Sequence, residues 1–279
     1  MKAVLKYIRL GLSVGVAIVF AWASFLVRYS SHPERYPLEV RYAKLRKLSI
    51  RVLKGMRMDL HIHGLEKLKE ATRDEHGTLI VANHISVLDM LLLIECSPKP
   101  IIFVAKKEIL KLPFAGRAVK SIDGLFLDRE DPRQAIKLFG IAAKHVSNGG
   151  LVAIYPEGTR NKDPNNTPVA SFHPGSFKIA TRGKGNILVA AGFGEHYPLD
   201  KTRLDRSTLC NFDFVKMIKE EEVASMKTTE LAEICHSACA ARVEELKPLD
   251  KAYFEERKDR HRAKKWWKDK DFPIDIKNL

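Results

Sequence analysis

Residues 78–90 read TLIVANHISVLDM. An apolar run from Leu79 to Ala82 stops at Asn83-His84, and Asp89 follows five residues after the histidine. A short apolar run closed by polar residues reads as a buried strand. Residues 78–83 then deliver an imidazole to a strand-to-helix turn, with a helix expected over 87–94. An imidazole oriented by a carboxylate is a general base near neutral pH. A plainer reading is also open: Ser86-x-x-Asp89 has capping-box spacing, and the carboxylate then only closes a helix end.

Outward from this stretch, strand and helix signals alternate. Strands are expected at 58–63, 101–105, 124–127, 151–155 and 187–192. Helices are expected at 132–148, opened by Asp131-Pro132, at 176–182, and after the 101–105 strand through about Val119 with a break at Pro113. A strand at 211–215 and an amphipathic helix at 228–246 follow. This order predicts an α/β domain on a largely parallel sheet flanked by helices. In such sheets, binding groups gather where strands end. His84, Lys106-Lys107, Asp128-Arg129 and the run Pro156-Glu157-Gly158-Thr159-Arg160 each follow a strand. A parallel sheet puts all four on one edge, a site for a negatively charged substrate with a proton to lose.

The 279 residues carry a net charge of +14, which points to an acidic partner: nucleic acid, anionic lipid headgroups or phosphorylated small molecules. Four cysteines, Cys96, Cys210, Cys235 and Cys239, fit no disulfide framework and suit a reducing compartment. Cys235-His236-x-x-Cys239 and the pair His61 and His63 allow metal binding; core packing and solvated side chains are their plainer readings.

Residues 10–27 form an uncharged run closed by Arg9 and Arg28. At 1.5 Å per residue it reaches about 27 Å, just enough to cross a bilayer core. A membrane anchor, a half-inserted helix and a cleaved signal peptide are all open readings. Arg28, Arg35, Arg41, Lys44, Arg46 and Lys47 follow, and positive charge stays cytoplasmic, which places the bulk of the chain on that side of a bacterial-type inner membrane. Leu38, Tyr42, Leu45, Leu48, Val52 and Met56 recur at helical spacing among further cations, the pattern of a helix on a membrane surface or against the core. Trp266-Trp267 lie among lysines in a densely charged terminus, which reads as a membrane interface, a nucleic-acid contact or a solvated tail. The expected organisation is membrane-associated helices over 1–57, an α/β domain over 58–250 and a basic tryptophan-containing segment over 251–279.

Residues 83–89, NHISVLD, resemble the NHxSxxD signature of glycerolipid acyltransferases. Residues 124–129, GLFLDR, resemble the second block of that family, and 155–160, YPEGTR, the third, usually FPEGTR. Residues 105–116 resemble the segment between the first two blocks. The order and gaps match over roughly 60–194, and the likeness is greatest to PlsC-type 1-acyl-glycerol-3-phosphate acyltransferases. The fourth block departs from the pattern: 187–192 read ILVAAG, where the family has a proline.

The resemblance implies transfer of an acyl chain from acyl-CoA or acyl-carrier protein to lysophosphatidic acid on a membrane of anionic lipids, without cofactor, metal or nucleic acid. His84 takes the hydroxyl proton and Asp89 orients it. Lys106, Arg129, Glu157, Gly158, Thr159 and Arg160 are the substrate-binding candidates, with Lys107 a lesser one. The two arginines grip phosphate, or instead form ion pairs with Asp128 or Glu157. Glu157 and Gly158 shape the turn and hold the cations, and Thr159 donates a hydrogen bond. Other acceptors, a thioesterase and a non-catalytic anionic-lipid binder are the rival readings.

Overall fold

The structure is a computed structural model that describes residues 2–201 and 207–257. The opening apolar run is strand β2 (Thr78–Ala82), every residue of it buried. Its alternate side chains part to two cores. Ile80 and Ala82 face one and Leu79 and Val81 the other, the period-two pattern of a strand covered on both faces. The remaining strands among the described residues are β1 (Met58–His63), β3 (Ile101–Lys106), β4 (Leu125–Leu127), β5 (Leu151–Ile154), β6 (Asn186–Phe193) and β7 (Thr208–Ile218). They form one sheet in the order β1-β7-β6-β2-β5-β3-β4. From β6 to β4 all neighbours are parallel. β7 runs antiparallel to β6 and parallel to β1, so the sheet is largely but not wholly parallel.

The expected strand at 211–215 is thus the middle of a longer one, and it sits inside the sheet. The proline-free fourth block is β6, which also lies inside the sheet. β6 is hydrogen-bonded on both sides, with β2 through Ala190 and with β7 through Phe193. Proline cannot donate to a ladder and is tolerated in the middle of such a strand only at a bulge. A register shift between Val189 and Ala190 lies at the same place.

Helices cover both faces. The N-terminal helix runs from residue 2 to residue 31, with π-turns at Gly11–Gly15 and Trp22–Leu26. It folds back on the helix Leu38–Met56, and Gly55 permits the contact: a Cβ there would stand 2.6 Å from Val14 Cγ2. Leu10, Val14, Ala21, Tyr42 and Leu45 share one core with β2 and β6, so the N-terminal helices are built into the α/β unit. Arg41 fixes them. It is buried, donates to the Ser121 and Tyr36 carbonyls, and forks onto the Asp123 carboxylate. The C-terminal helix Thr228–Arg257 packs on the opposite face and runs unbroken through residue 250, where a segment boundary was expected. Trp266 and Trp267 lie outside the described residues. The helix Leu65–Arg73 was not anticipated; its apolar stripe is short, with Leu68 and Ala71 buried.

Glu95 is buried on the helix Asp89–Cys96, and burial pushes its carboxyl up to about 7 against the pull of Arg46 and Lys54. The folded state therefore holds a proton that the unfolded chain has released, so stability falls as pH rises from about 4.5 to about 7 and is level above. Relative to Glu95→Gln, the wild type is expected to lose roughly 3 kcal/mol across that window. Denaturant melts of both proteins at about pH 5 and pH 8 check this; parallel behaviour refutes it.

Candidate active site

β2 and β5 pair in register, Val81 against Ile154. His84 and Glu157 each follow by three residues, so their loops leave the sheet side by side. The two loops are stitched together through their backbones. The His84 N–H donates to Glu157 Oε1 at 2.6 Å, and the Asn161 N–H donates to the His84 carbonyl at 2.8 Å. Glu157 Oε2 accepts from the Ala170 N–H at 2.9 Å. Burial raises the Glu157 carboxyl above its ordinary range, and the bonds from the two backbone amides pull it back. On the other side, the Asn83 side chain exchanges two hydrogen bonds with the Gly192 backbone, 2.9 and 2.8 Å, and ties the loop to β6.

The histidine is thereby held at both backbone groups while its ring is left partly open, 22% exposed. Its Nδ1 donates to Asp89 Oδ2 at 2.8 Å. The same oxygen accepts from the Ile85 and Ser86 N–H groups at 2.9 and 3.0 Å. Asp89 thus does both things the sequence allowed: it closes the turn before its helix and orients the imidazole. With Nδ1 committed to the carboxylate, Nε2 is the nitrogen that takes a proton. The Tyr155 ring stacks on the imidazole, 4.3 Å between centroids at 16°.

The cations divide by what holds them. Lys107 pairs with Asp128 at 2.6 Å, and Lys106, exposed, reaches Glu108 at 3.6 Å. Arg129 is exposed and donates to the Gly158 carbonyl, so it crosses from the β4 loop to the β5 loop. Gly158 has φ +77°, a backbone conformation that favours glycine, and a Cβ there would displace the Arg129 guanidinium, 2.8 Å away at Nη2. The β4 loop is set by Gln134, whose amide accepts from the Asp128 N–H and donates to the Phe126 carbonyl. Thr159 and Arg160 are exposed beside this crossing. Neither carboxylate offered as an arginine partner serves as one: Asp128 is taken by Lys107 and Glu157 by backbone amides. Glu157 therefore does not hold the cations; its two oxygens accept from the backbone N–H groups of His84 and Ala170.

One edge of the sheet thus carries a base with its carboxylate, two exposed arginines and a glycine turn. The Acyltransferase family model matches residues 59–191. A "Probable 1-acyl-sn-glycerol-3-phosphate acyltransferase" of Mycoplasma genitalium is 30% identical over 192 residues, 64% of this chain and 67% of that protein. The chain belongs to the acyltransferase family. The "1-acyl-sn-glycerol-3-phosphate acyltransferase" of Helicobacter pylori is 34% identical over 99 residues, 36% of this chain and 42% of that one. The human "1-acyl-sn-glycerol-3-phosphate acyltransferase beta" is 27% identical over 193 residues, 68% of this chain and 66% of its own. The matched stretches therefore span from under half to two thirds of these relatives. The crystal structure of "the 1-acyl-sn-glycerophosphate (LPA) acyltransferase, PlsC, from Thermotoga maritima" is similar in fold, with TM-score 0.67 and 23% identity over 88% of this chain and 98% of that chain.

Elsewhere the sequence signals resolve simply. His61 lies 3.7 Å from Asp59 on β1, and His63 is exposed. Cys235 and Cys239 are buried, and His236 Nε2 meets the Val169 carbonyl at 3.1 Å. Sequence reading passed over Asn83, Asn161, Gln134 and the stacking of Tyr155. Only Asn83 carried a signal, a second polar residue where the apolar run ends.

Proposed function

We propose that this acyltransferase moves a fatty acyl chain from a thioester, acyl-CoA or acyl-carrier protein, to the sn-2 hydroxyl of 1-acyl-glycerol-3-phosphate, giving phosphatidic acid. The observation that carries this reading is the Asp89-held imidazole of His84, on the same edge as the exposed guanidinium groups of Arg129 and Arg160. His84 Nε2 takes the hydroxyl proton as the oxygen attacks the thioester carbonyl. The tetrahedral intermediate collapses, the carbon–sulfur bond breaks, and the thiolate leaves with the proton that the imidazolium returns. Asp89 offsets the transient positive charge. No cofactor enters these steps. A guanidinium has five donors, and Arg129 spends only part of them on Gly158, leaving a fork for phosphate oxygens.

The acceptor is a lipid, and the N-terminal helix suits it. Lys6–Ser31 is long and apolar enough to cross a membrane. Lys6 Nζ donates to the Asp200 carbonyl and Ser30 Oγ accepts from Arg117, so both ends of the helix are bound to the domain. A helix held lengthwise in this way fits insertion parallel to the surface. Leu12, Val16, Val19 and Phe20 form its exposed apolar stripe, and Trp22 touches Phe114 beside exposed Leu110 and Leu112.

A transfer assay with labelled acyl donors against a panel of acceptors tests the reading. Phosphatidic acid from lysophosphatidic acid is the expected product, with little turnover of lysophosphatidylcholine or glycerol-3-phosphate. Arg160→Ala is expected to raise KM for lysophosphatidic acid by roughly 10- to 100-fold. Free fatty acid release independent of any acceptor, or an unchanged KM, overturns it.

A further inference from the structure

Asp89 is satisfied on one side only. Oδ2 has three donors, whereas Oδ1 is buried with no hydrogen-bond partner among the described residues. Three more buried oxygens belong to its immediate electrostatic surroundings: the Tyr155 hydroxyl, which has no such partner, and the two carboxyl oxygens of Glu195, served by no stronger side-chain donor than the Cys210 thiol. Unpaired buried polar atoms are costly, and several together behind one catalytic group call for a function.

The chain is built to bring Glu195 there. It is fully buried, at the end of Gly192-Phe193-Gly194-Glu195. A Cβ on Gly192 would overlap Glu195 Oε1. Gly194 has φ +104°, and a Cβ on it would overlap the Leu209 carbonyl. Gly192 is also the residue whose N–H and C=O are held by Asn83, the neighbour of His84. Two glycines thus fold a carboxyl inward beneath the loop that carries the base.

We propose that Glu195, together with the Tyr155 hydroxyl, is a positioning residue for His84 and Asp89, packed behind the side of Asp89 that the dyad turn leaves without a donor. An ionised Glu195 would only accept hydrogen bonds and would set a second negative charge behind Asp89. Of the titratable groups that face it, the Cys210 thiol alone supports the ionised form, through a weak hydrogen bond to the carboxyl. The groups are Asp89 from the helix after the dyad turn, Tyr155 from the end of β5, and Cys210 and Asp213 from β7. Asp213 is itself engaged by Arg242 at 2.5 Å. Burial, followed by the charge of Asp89, holds the Glu195 carboxyl well above the ordinary range.

The proposal rests on the acyl-transfer reading, with His84 as the base. Glu195→Leu is expected to lower kcat by about 10- to 100-fold with KM for lysophosphatidic acid nearly unchanged. Its melting temperature is expected to hold or rise, because leucine replaces a buried carboxyl that has only a weak thiol donor. Glu195→Gln, which keeps a donor, is expected to recover most of the lost kcat with a wild-type pH–rate profile. An infrared difference spectrum between wild type and Glu195→Gln at neutral pH should carry the carbonyl stretch of a protonated carboxylic acid. Wild-type kcat in Glu195→Leu overturns the proposal, as does a Glu195→Gln as impaired as the leucine variant, or absence of the acid band. If His84→Ala is inactive while Glu195→Leu is not, this inference alone fails. If His84→Ala retains activity, the functional reading fails with it.

Discussion

Replacing His84 with alanine is expected to lower kcat by roughly 10³-fold and leave the fold in place. The histidine contributes to structure through its backbone: its N–H to Glu157 and its carbonyl to Asn161 both survive in alanine. Its ring is partly open to solvent, so little apolar burial is lost beyond the stack on Tyr155. The loss should therefore fall on chemistry alone, with KM for the acceptor largely retained, because the arginines that would hold the phosphate are untouched. Transfer kinetics beside a thermal melt separate the two effects. Turnover like the wild type would remove the general-base mechanism; a collapsed melt would make the loop, rather than the base, the reason for inactivity.

Much of this site could be read from the chain because the sheet core is parallel. Strands covered on both faces read as unbroken apolar runs, and 79–82, 101–104 and 151–154 do so. The polar residues that end them then fall at one edge. Direction is another matter. β7 reads LCNFDFVK, an alternating strand, and nothing local says that it inserts between β1 and β6 or runs against β6. Partners across long separations were equally hidden. Glu157 reaches His84 across 73 positions, and Asn83 reaches Gly192 across 109. Spacing tells which residues leave a strand end; it does not tell whether a carboxylate there faces a cation or a backbone amide. For Glu157 the backbone N–H groups of His84 and Ala170 decided the matter, and no motif displays them.

Three loops converge on His84, joined by one backbone hydrogen bond, by the Glu157 carboxylate on a backbone N–H and by one guanidinium on a carbonyl. Arg129 spans two loops with part of its donors, and Lys107 neutralises Asp128 so that this carboxylate does not compete for the arginine. The edge that remains open to an anionic substrate is therefore cationic for a structural reason, beyond the excess of basic residues in the chain.

Asp89→Asn is expected to lower kcat by about 10²- to 10⁴-fold, and it separates the two roles of that residue. Asparagine offers one carbonyl oxygen and one amide group. With its oxygen in the place of Oδ2, it still accepts from the Ile85 and Ser86 N–H groups, and the turn before the helix is kept. The negative charge that offsets the imidazolium is lost, and that loss is felt only as the proton moves. Asp89→Ala removes the acceptor as well and strands two buried N–H groups, which should cost a further 1–3 kcal/mol or so of stability. A residue that served only as a helix cap would behave otherwise: asparagine would preserve activity, and alanine would lose it in proportion to unfolding. The same variant in the His84→Ala background gives a sharper test. If the two side chains act as one unit, Asp89→Asn costs nothing further once the imidazole is gone, since there is no cation left to offset. An additive loss in the double variant would mean that the carboxylate acts on the substrate by a path of its own.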